Sequence, residues 1–255
     1  MTTVTSTDFF EISRKDAISI VRIKKNVFDF ISDNELSNEL MDFIKKISGD
    51  TEIKALLFCN DPDCMNEDNY VGFLRSITQK TKKEEQSLLP DFNRKDVEFL
   101  EINILNRFIK QIVNLNKIVV SGIQGSVVTP FVGLALSADL IFADREARLI
   151  MAHNKYGLHP SGALPFFLSN SLNHAIAMEF QLKDSFTAEE AYEIGLINKV
   201  LSGHDFLDHL IEEVEKFAHF KYNTIQRTKR LTIFSRKSLD DYFNFEAEIL
   251  KKFPY

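Results

Sequence analysis

Three places in the 255-residue chain carry side chains whose type and spacing suit chemistry. The first is Thr129-Pro130, ahead of an apolar run. Thr suits a helix N-cap and Pro the first helical position, so a helix is expected to open here. A helix start gathers unpaired N–H groups and the positive end of the peptide dipoles, which favours an anion or a developing negative charge. The second place is the stretch holding His153 and His159. Imidazole titrates near ~6.5 when unperturbed, so His153 can pass a proton at neutral pH. A histidine in a loop ahead of a helix equally serves as a hydrogen-bonded structural residue, and His159, beside Pro160, is read that way. The third is Cys59 and Cys64, close together in one loop. Their spacing suggests no disulfide framework, and without a further Cys or His cluster no metal site is expected. There is no G-x-G-x-x-G or Walker-type loop, so no nucleotide cofactor is expected either.

The elements that must position these residues follow from periodicity. DAISIVRI (16–23) and IKALLFCN (53–60) read as strands by their apolar runs. Between them, Ser32 and Glu35 form an S-x-x-E capping box, and Leu36, Leu40, Phe43, Ile44 and Ile47 recur at helical spacing up to Gly49, a C-cap candidate. DPDCMNEDN (61–69) is a polar loop, and QKTKKEEQSLLPDFNRK (79–95) a charged, mobile loop broken by Pro90. Residues 96–116 form a long helix with a stripe of Val97, Leu100, Ile104, Phe108 and Ile112. KIVVSGIQG (117–125) and DLIFAD (139–144) are further strands. After Pro160 the pattern is mainly helical, with a second capping box at Thr187 and Glu190. Strand and helix alternate, which predicts an α/β fold with a helical C-terminal third.

Composition narrows the function classes. A net charge of −6 argues against a general nucleic-acid binder, which needs a basic face. The first residues, MTTVTSTDFFEIS, lack the apolar core of a signal peptide, and no apolar run reaches a membrane span. A soluble cytoplasmic protein, with no membrane and no nucleic acid as partner, is expected. The chain holds 23 Phe against 9 Gly, so few positions allow close approach of backbone to a ligand.

The segment KIVVSGIQGSVVTPFVGLALSADLIFADREARLIMAHNKYGLHPSGALPFFL (117–168), followed by SFTAEEAYEIGLINKVL (185–201), resembles the crotonase family, the enoyl-CoA hydratase/isomerase superfamily. An earlier stretch, IKKNVFDFISDNELSNELMDFIKKISGDTEIKALLF, resembles that family's first strand, helix and second strand, so the likeness runs over roughly residues 10–235. It implies a crotonase-like ββα spiral core (1–190) and a helical C-terminal trimerisation region (191–255). It further implies a homotrimer or dimer of trimers, and a thioester substrate carried on CoA or a carrier protein; CoA is then a substrate carrier rather than a cofactor.

Carried over residue by residue, the resemblance puts the two backbone oxyanion donors at Glu67 and Phe131, with Asp68 on the family's Asp. The two catalytic glutamates fall on Gly133 and His153. Gly133 transfers no proton, so two-glutamate hydration is not expected; His153 is the remaining candidate base. NKYGLHPSG (154–162) resembles the superfamily's polyketide-pathway decarboxylases, although this chain lacks their glycine run at 129–131. CoA contacts are implied at Lys24 and Lys25, after the first expected strand, and at Met65 and Asn66. Lysines suit phosphate as point charges and equally suit a solvated strand end. Lys229 and Arg230 resemble a basic surface patch. Two expectations stand: a divergent thioester enzyme working by isomerisation or decarboxylation, or a non-catalytic crotonase-fold protein acting through oligomer or partner contacts. Whether Phe131 points into the pocket or away from it separates them.

Overall fold

The computed structural model describes residues 2–78, 95–202 and 205–252. Among these described residues, ten strands form two sheets. The larger is built from β1 (Thr2–Ser6), β2 (Phe10–Lys15), β3 (Ile18–Ile23), β4 (Ala55–Asn60), β5 (Ile118–Ile123), β7 (Leu140–Asp144) and β10 (Lys199–Leu201), in that spatial order. β1 to β3 run antiparallel, and β3, β4, β5, β7 and β10 are all parallel. The smaller sheet joins β6 (Ser126–Val128), β8 (Arg148–Ile150) and β9 (Ser185–Thr187).

Two turns of the chain pass from a strand of the large sheet directly into one of the small sheet. β5 passes to β6 through Gly125, whose φ of 67° is a left-handed conformation that glycine adopts without strain. β7 passes to β8 in the same way. Alternation sorts the large sheet's two faces. Ile18, Ile20, Ala55, Leu57, Cys59 and Val120 face one way, under Phe206, Leu210, Ile211 and Val214 of α10 (Phe206–Ala218). Val21, Ile23, Leu56 and Val119 face the other way, into the main core. At Gly122 α10 packs close to the sheet: a Cβ there would lie 2.1 Å from Leu210 Cδ2, so that leucine would have to shift.

The helices differ in part from their sequence signals. The expected helix is α2 (Asn34–Gly49), and a further short helix, α1 (Val27–Ser32), precedes it. The cap of α2 is Asp33, not Ser32: Asp33 Oδ1 accepts from the N–H groups of Glu35 and Leu36 at 2.8 and 3.0 Å. Ser32 instead donates back to Phe28 O, and Gly49 stays inside the helix. α3 (Glu67–Thr78) opens within the expected polar loop, and α4 (Lys95–Asn114) is the expected long helix, with Ile104, Phe108 and Ile112 buried. The rest of the 79–95 loop and the side chains of Val97 and Leu100 lie outside the described residues. α5 (Phe131–Leu136) starts as expected, but Pro130 is its N-cap and Thr129 gives it no side-chain bond. The Thr187–Glu190 box forms in full at the start of α9 (Ala188–Glu193).

The C-terminal segment contributes β10 to the large sheet, then α10, α11 (Tyr222–Thr232) and α12 (Leu239–Lys252). Lys229 is not a surface residue: it is buried, with Nζ 2.7 Å from Asp139 Oδ2 and 2.9 Å from Lys117 O. Asp139 also accepts from Val119 N–H, so one carboxylate ties α11 to β5. Arg230, next to it, is exposed. Among the described residues, no helix is long and apolar enough to cross a membrane.

Candidate functional site

The two expected oxyanion segments meet. After β4 the chain turns through Asp61–Asn66, fixed by Asn60, whose side chain bonds Gln124 through both its oxygen and its nitrogen. Asn66 then caps α3, accepting from Asn69 N–H at 2.9 Å. Val128 N–H donates to Met65 O at 2.9 Å, which binds the end of β6 to the residue just before that cap. The starts of α3, at Glu67, and α5, at Phe131, are thereby held side by side. Nearby, Val27 N–H donates to Cys64 O, so the segment after Lys24 and Lys25 runs beside this loop. Those lysines follow the third strand rather than the first, and bond to Ser6 Oγ (3.0 Å) and Asp8 Oδ2 (3.3 Å). Both cysteines are buried free thiols, pushed up to about 12 by burial, and so stay protonated.

Phe131 points inward. It is 1% exposed, and its ring meets Phe28 edge-on at 5.0 Å. Phe28 in turn stacks on Phe73 at 5.2 Å and contacts Tyr70, which contacts Tyr156 at 5.9 Å. The void left beside Phe131, bounded also by Asn60, Met65 and Leu134, is about 10 Å³. That is the room of a single water molecule.

The position of the first family glutamate is filled by backbone. A Cβ at Gly133 would lie 2.0 Å from Gly162 O and 3.1 Å from Leu164 N. Gly162, at φ 71°, is equally confined, since a Cβ there would lie 2.3 Å from Pro130 O. α5 and the loop before α7 (Leu164–Ser171) thus close on each other through two glycines.

His153 stands in α6 (Ala152–Lys155) and is 4% exposed. Its Nδ1 lies 3.2 Å from Thr129 Oγ1, which also donates to Ile150 O. Burial holds the imidazole down to about 4, against a bond with the Gln181 backbone that acts in the opposite sense. His159 is likewise down to about 4, through burial and the neighbouring His153. Both rings are neutral at pH 7.

Glu67 has side-chain partners that the sequence did not suggest. Its Oε1 accepts from Tyr156 Oη at 2.7 Å and from Lys155 Nζ at 2.5 Å. Burial pulls this carboxyl upward, but the bonds from Lys155 and Tyr156 outweigh it and keep it below the usual range. Burial and the facing carboxylate push the Tyr156 phenol up to about 12. Tyr156 lies in the NKYG run (154–157), the available local signal for it. Its partner is 89 residues away, beyond any local pattern.

Known proteins agree with this architecture. The chain matches a 1,2-epoxyphenylacetyl-CoA isomerase of Escherichia coli (strain K12) at 24% identity, over 69% of this chain and 63% of that protein. The match thus spans less than two thirds of that relative. A 4-chlorobenzoyl coenzyme A dehalogenase-1 of Arthrobacter sp. is 22% identical over 81% of this chain and 71% of its own length. Among solved structures, an enoyl-CoA hydratase from Bacillus halodurans superposes with a TM-score of 0.73 at 16% identity, covering 94% of this chain and 91% of that one. At that identity the superposition speaks for the fold alone. The model of the family described as enoyl-CoA hydratase/isomerase matches residues 98–255, which takes in α5, the 162–164 loop and the whole C-terminal segment. With more than half of the chain on that model and the spiral core built as described, the chain belongs to the enoyl-CoA hydratase/isomerase, or crotonase, superfamily.

Proposed function

We propose that this chain binds an acyl thioester, carried on CoA or a carrier protein, and does not hydrate it by a two-glutamate mechanism. One observation carries the exclusion: the Gly133 position faces Gly162 O at a distance that admits no side chain. The remaining chemistry is stabilisation of an enolate, serving isomerisation or decarboxylation. The N–H groups at the starts of α3 and α5 are its candidate donors, at Glu67 and Phe131; one such donor is typically worth about 3–4 kcal/mol to an oxyanion. The thioester itself is inferred from relatives whose names specify CoA substrates. Lys24, Lys25, Met65 and Asn66 are the proposed CoA contacts. His153 enters this reading as the group that fixes Thr129 ahead of α5; its burial and its low pKa disfavour it as the base.

A second reading is favoured by the aromatic wall around Phe131: a non-catalytic member acting through oligomer or partner contacts. Assembly as a homotrimer or dimer of trimers belongs to either reading. It is supported by large apolar side chains exposed on the C-terminal region, including Leu231, Phe234 and Phe245.

Thermal unfolding with CoA or acetyl-CoA separates the two. A ligand at a hundred times its Kd stabilises by about 2.7 kcal/mol, and the midpoint rises. A rise together with no hydration of crotonyl-CoA is the expected result. Hydration at a rate typical of enzymes overturns the first reading, and an unmoved midpoint at millimolar ligand leaves only the second.

A further inference from the structure

We infer that Glu67 is the proton-transferring residue of this site, with Tyr156 and Lys155 positioning it; this rests on the thioester reading above. The argument is geometric. Both side-chain bonds to the carboxylate converge on one oxygen, Oε1, from Tyr156 Oη and Lys155 Nζ. Among the described residues, Oε2 has no hydrogen-bond partner. The Glu67 side chain is 28% exposed, whereas His153 is sealed. One oxygen is clamped and the other is left open to accept a proton, the arrangement an oriented general base needs.

The clamp itself is rigid on one side. Tyr156 is 5% exposed, and its ring is fixed edge-on against Tyr70, which belongs to α3 as Glu67 does. Lys155, mostly exposed, adds charge that keeps the carboxylate ionised at neutral pH. Glu67 is also the first residue of α3, directly after the Asn66 cap.

The step balances without any further reactant. Glu67 Oε2 takes the proton from the acyl α-carbon. The C–H electron pair becomes the enolate C=C bond, and the carbonyl π pair moves onto oxygen, facing the N–H groups of the two helix starts. Return of the proton to either face regenerates the thioester, and return to a different carbon isomerises an unsaturated acyl chain.

The test is exchange of the α-protons of acetyl-CoA in D2O, followed by NMR, alongside the midpoint shift caused by the same ligand. Wild type is expected to show both. Glu67→Gln is expected to keep the midpoint shift and lose exchange by about 100-fold or more, the usual scale of a general base. Tyr156→Phe is expected to slow exchange about 10-fold and to move the acid limb of its pH profile upward, because one bond that holds Glu67 ionised is gone. Glu67→Asp, which keeps the charge, should retain part of the rate. Exchange at the wild-type rate in a Glu67→Gln protein that still binds acetyl-CoA overturns the inference while leaving the thioester reading intact. Wild type that binds without exchange overturns it as well. Wild type that does not respond to acetyl-CoA removes the reading beneath it.

Discussion

The starts of α3 and α5 sit side by side, tied by the bond from Val128 N–H to Met65 O, and are built in opposite ways. At α3 the cap is a polar side chain, Asn66, and the first residue is a partly exposed carboxylate with a lysine and a tyrosine on it. At α5 the cap is Pro130, the first residue is a buried Phe, and the third faces a glycine carbonyl. Charge follows the same division. Around α3, Glu67 is held below its usual range and Lys155 above it, so both ionised forms are favoured. Around α5, burial neutralises His153 and His159, and it pushes Glu246, which accepts from the Ala163 backbone, up to about 7. The two helix starts thus differ in what surrounds their N–H groups: ionised side chains at α3, and packed aromatic rings and backbone at α5.

The largest effect that could break this contrast is Gly133→Glu. The change restores the residue type that the family resemblance expects there, but its Cβ meets backbone that cannot move away cheaply. Overpacking and an unpaired buried carboxyl together should cost about 5 kcal/mol or more. Urea unfolding should show a protein barely folded, without hydratase activity. A stable Gly133→Glu protein would mean that the α5 side opens readily. Phe131→Ala should cost slightly less, about 4 kcal/mol, as typical for deleting a buried aromatic ring. It also vacates the wall, so acetyl-CoA should raise its midpoint more than that of wild type. An unchanged rise would show that ligand never approaches α5.

The pH dependence sharpens the charge side of the comparison. His153 and His159 each fall from near 6.5 to about 4 on folding, so the unfolded chain takes up protons first. Stability from each is complete above about pH 6.5 and is lost as pH falls towards 4, by about 3 kcal/mol per ring. Glu246 works in the other direction. Its folded carboxyl ionises near 7 against 4.5 unfolded, so it costs stability as pH rises through that window, by about 3 kcal/mol. His153→Gln should flatten the acid limb, and Glu246→Gln should flatten the decline between about pH 4.5 and 7. Denaturant midpoints across pH 4–8 give both slopes; slopes unchanged in both variants would deny the neutral, buried character of the α5 side.

The legible part of this architecture was local. β3, β4, β5 and β7 announce themselves as apolar runs, and α4 by its stripe, because each buries its own side chains. The β1–β2 hairpin was missed: β1 is Thr-rich and largely exposed, so no apolar run marks it. Ser32, read as the cap, ends the short helix α1 instead, and Asp33 one residue on takes the capping role. Thr129 looked like a cap, but its hydroxyl is taken by Ile150 O and His153, which arrive from β8 and α6. The site was legible only as aligned positions. What decides its chemistry is pairing across the chain: Gly133 on Gly162, Glu67 on Tyr156, and Phe131 on Phe28. A single sequence carries no period that brings such residues together.

The smallest test concerns the caps themselves. Asn66 Oδ1 satisfies one of the unpaired N–H groups that open α3, whereas α5 receives no side-chain cap. Asn66→Ala should therefore cost about 1 kcal/mol, the usual loss when a helix cap is removed. The packing around Phe131 is untouched by this change, so the slope of the denaturant transition should stay constant and only its midpoint should move. The same variant loosens the segment that carries Glu67, so proton exchange on acetyl-CoA should fall further than stability does. If exchange and stability fell in strict proportion, the start of α3 would be only another structural helix end, and its contrast with α5 would reduce to a difference in packing.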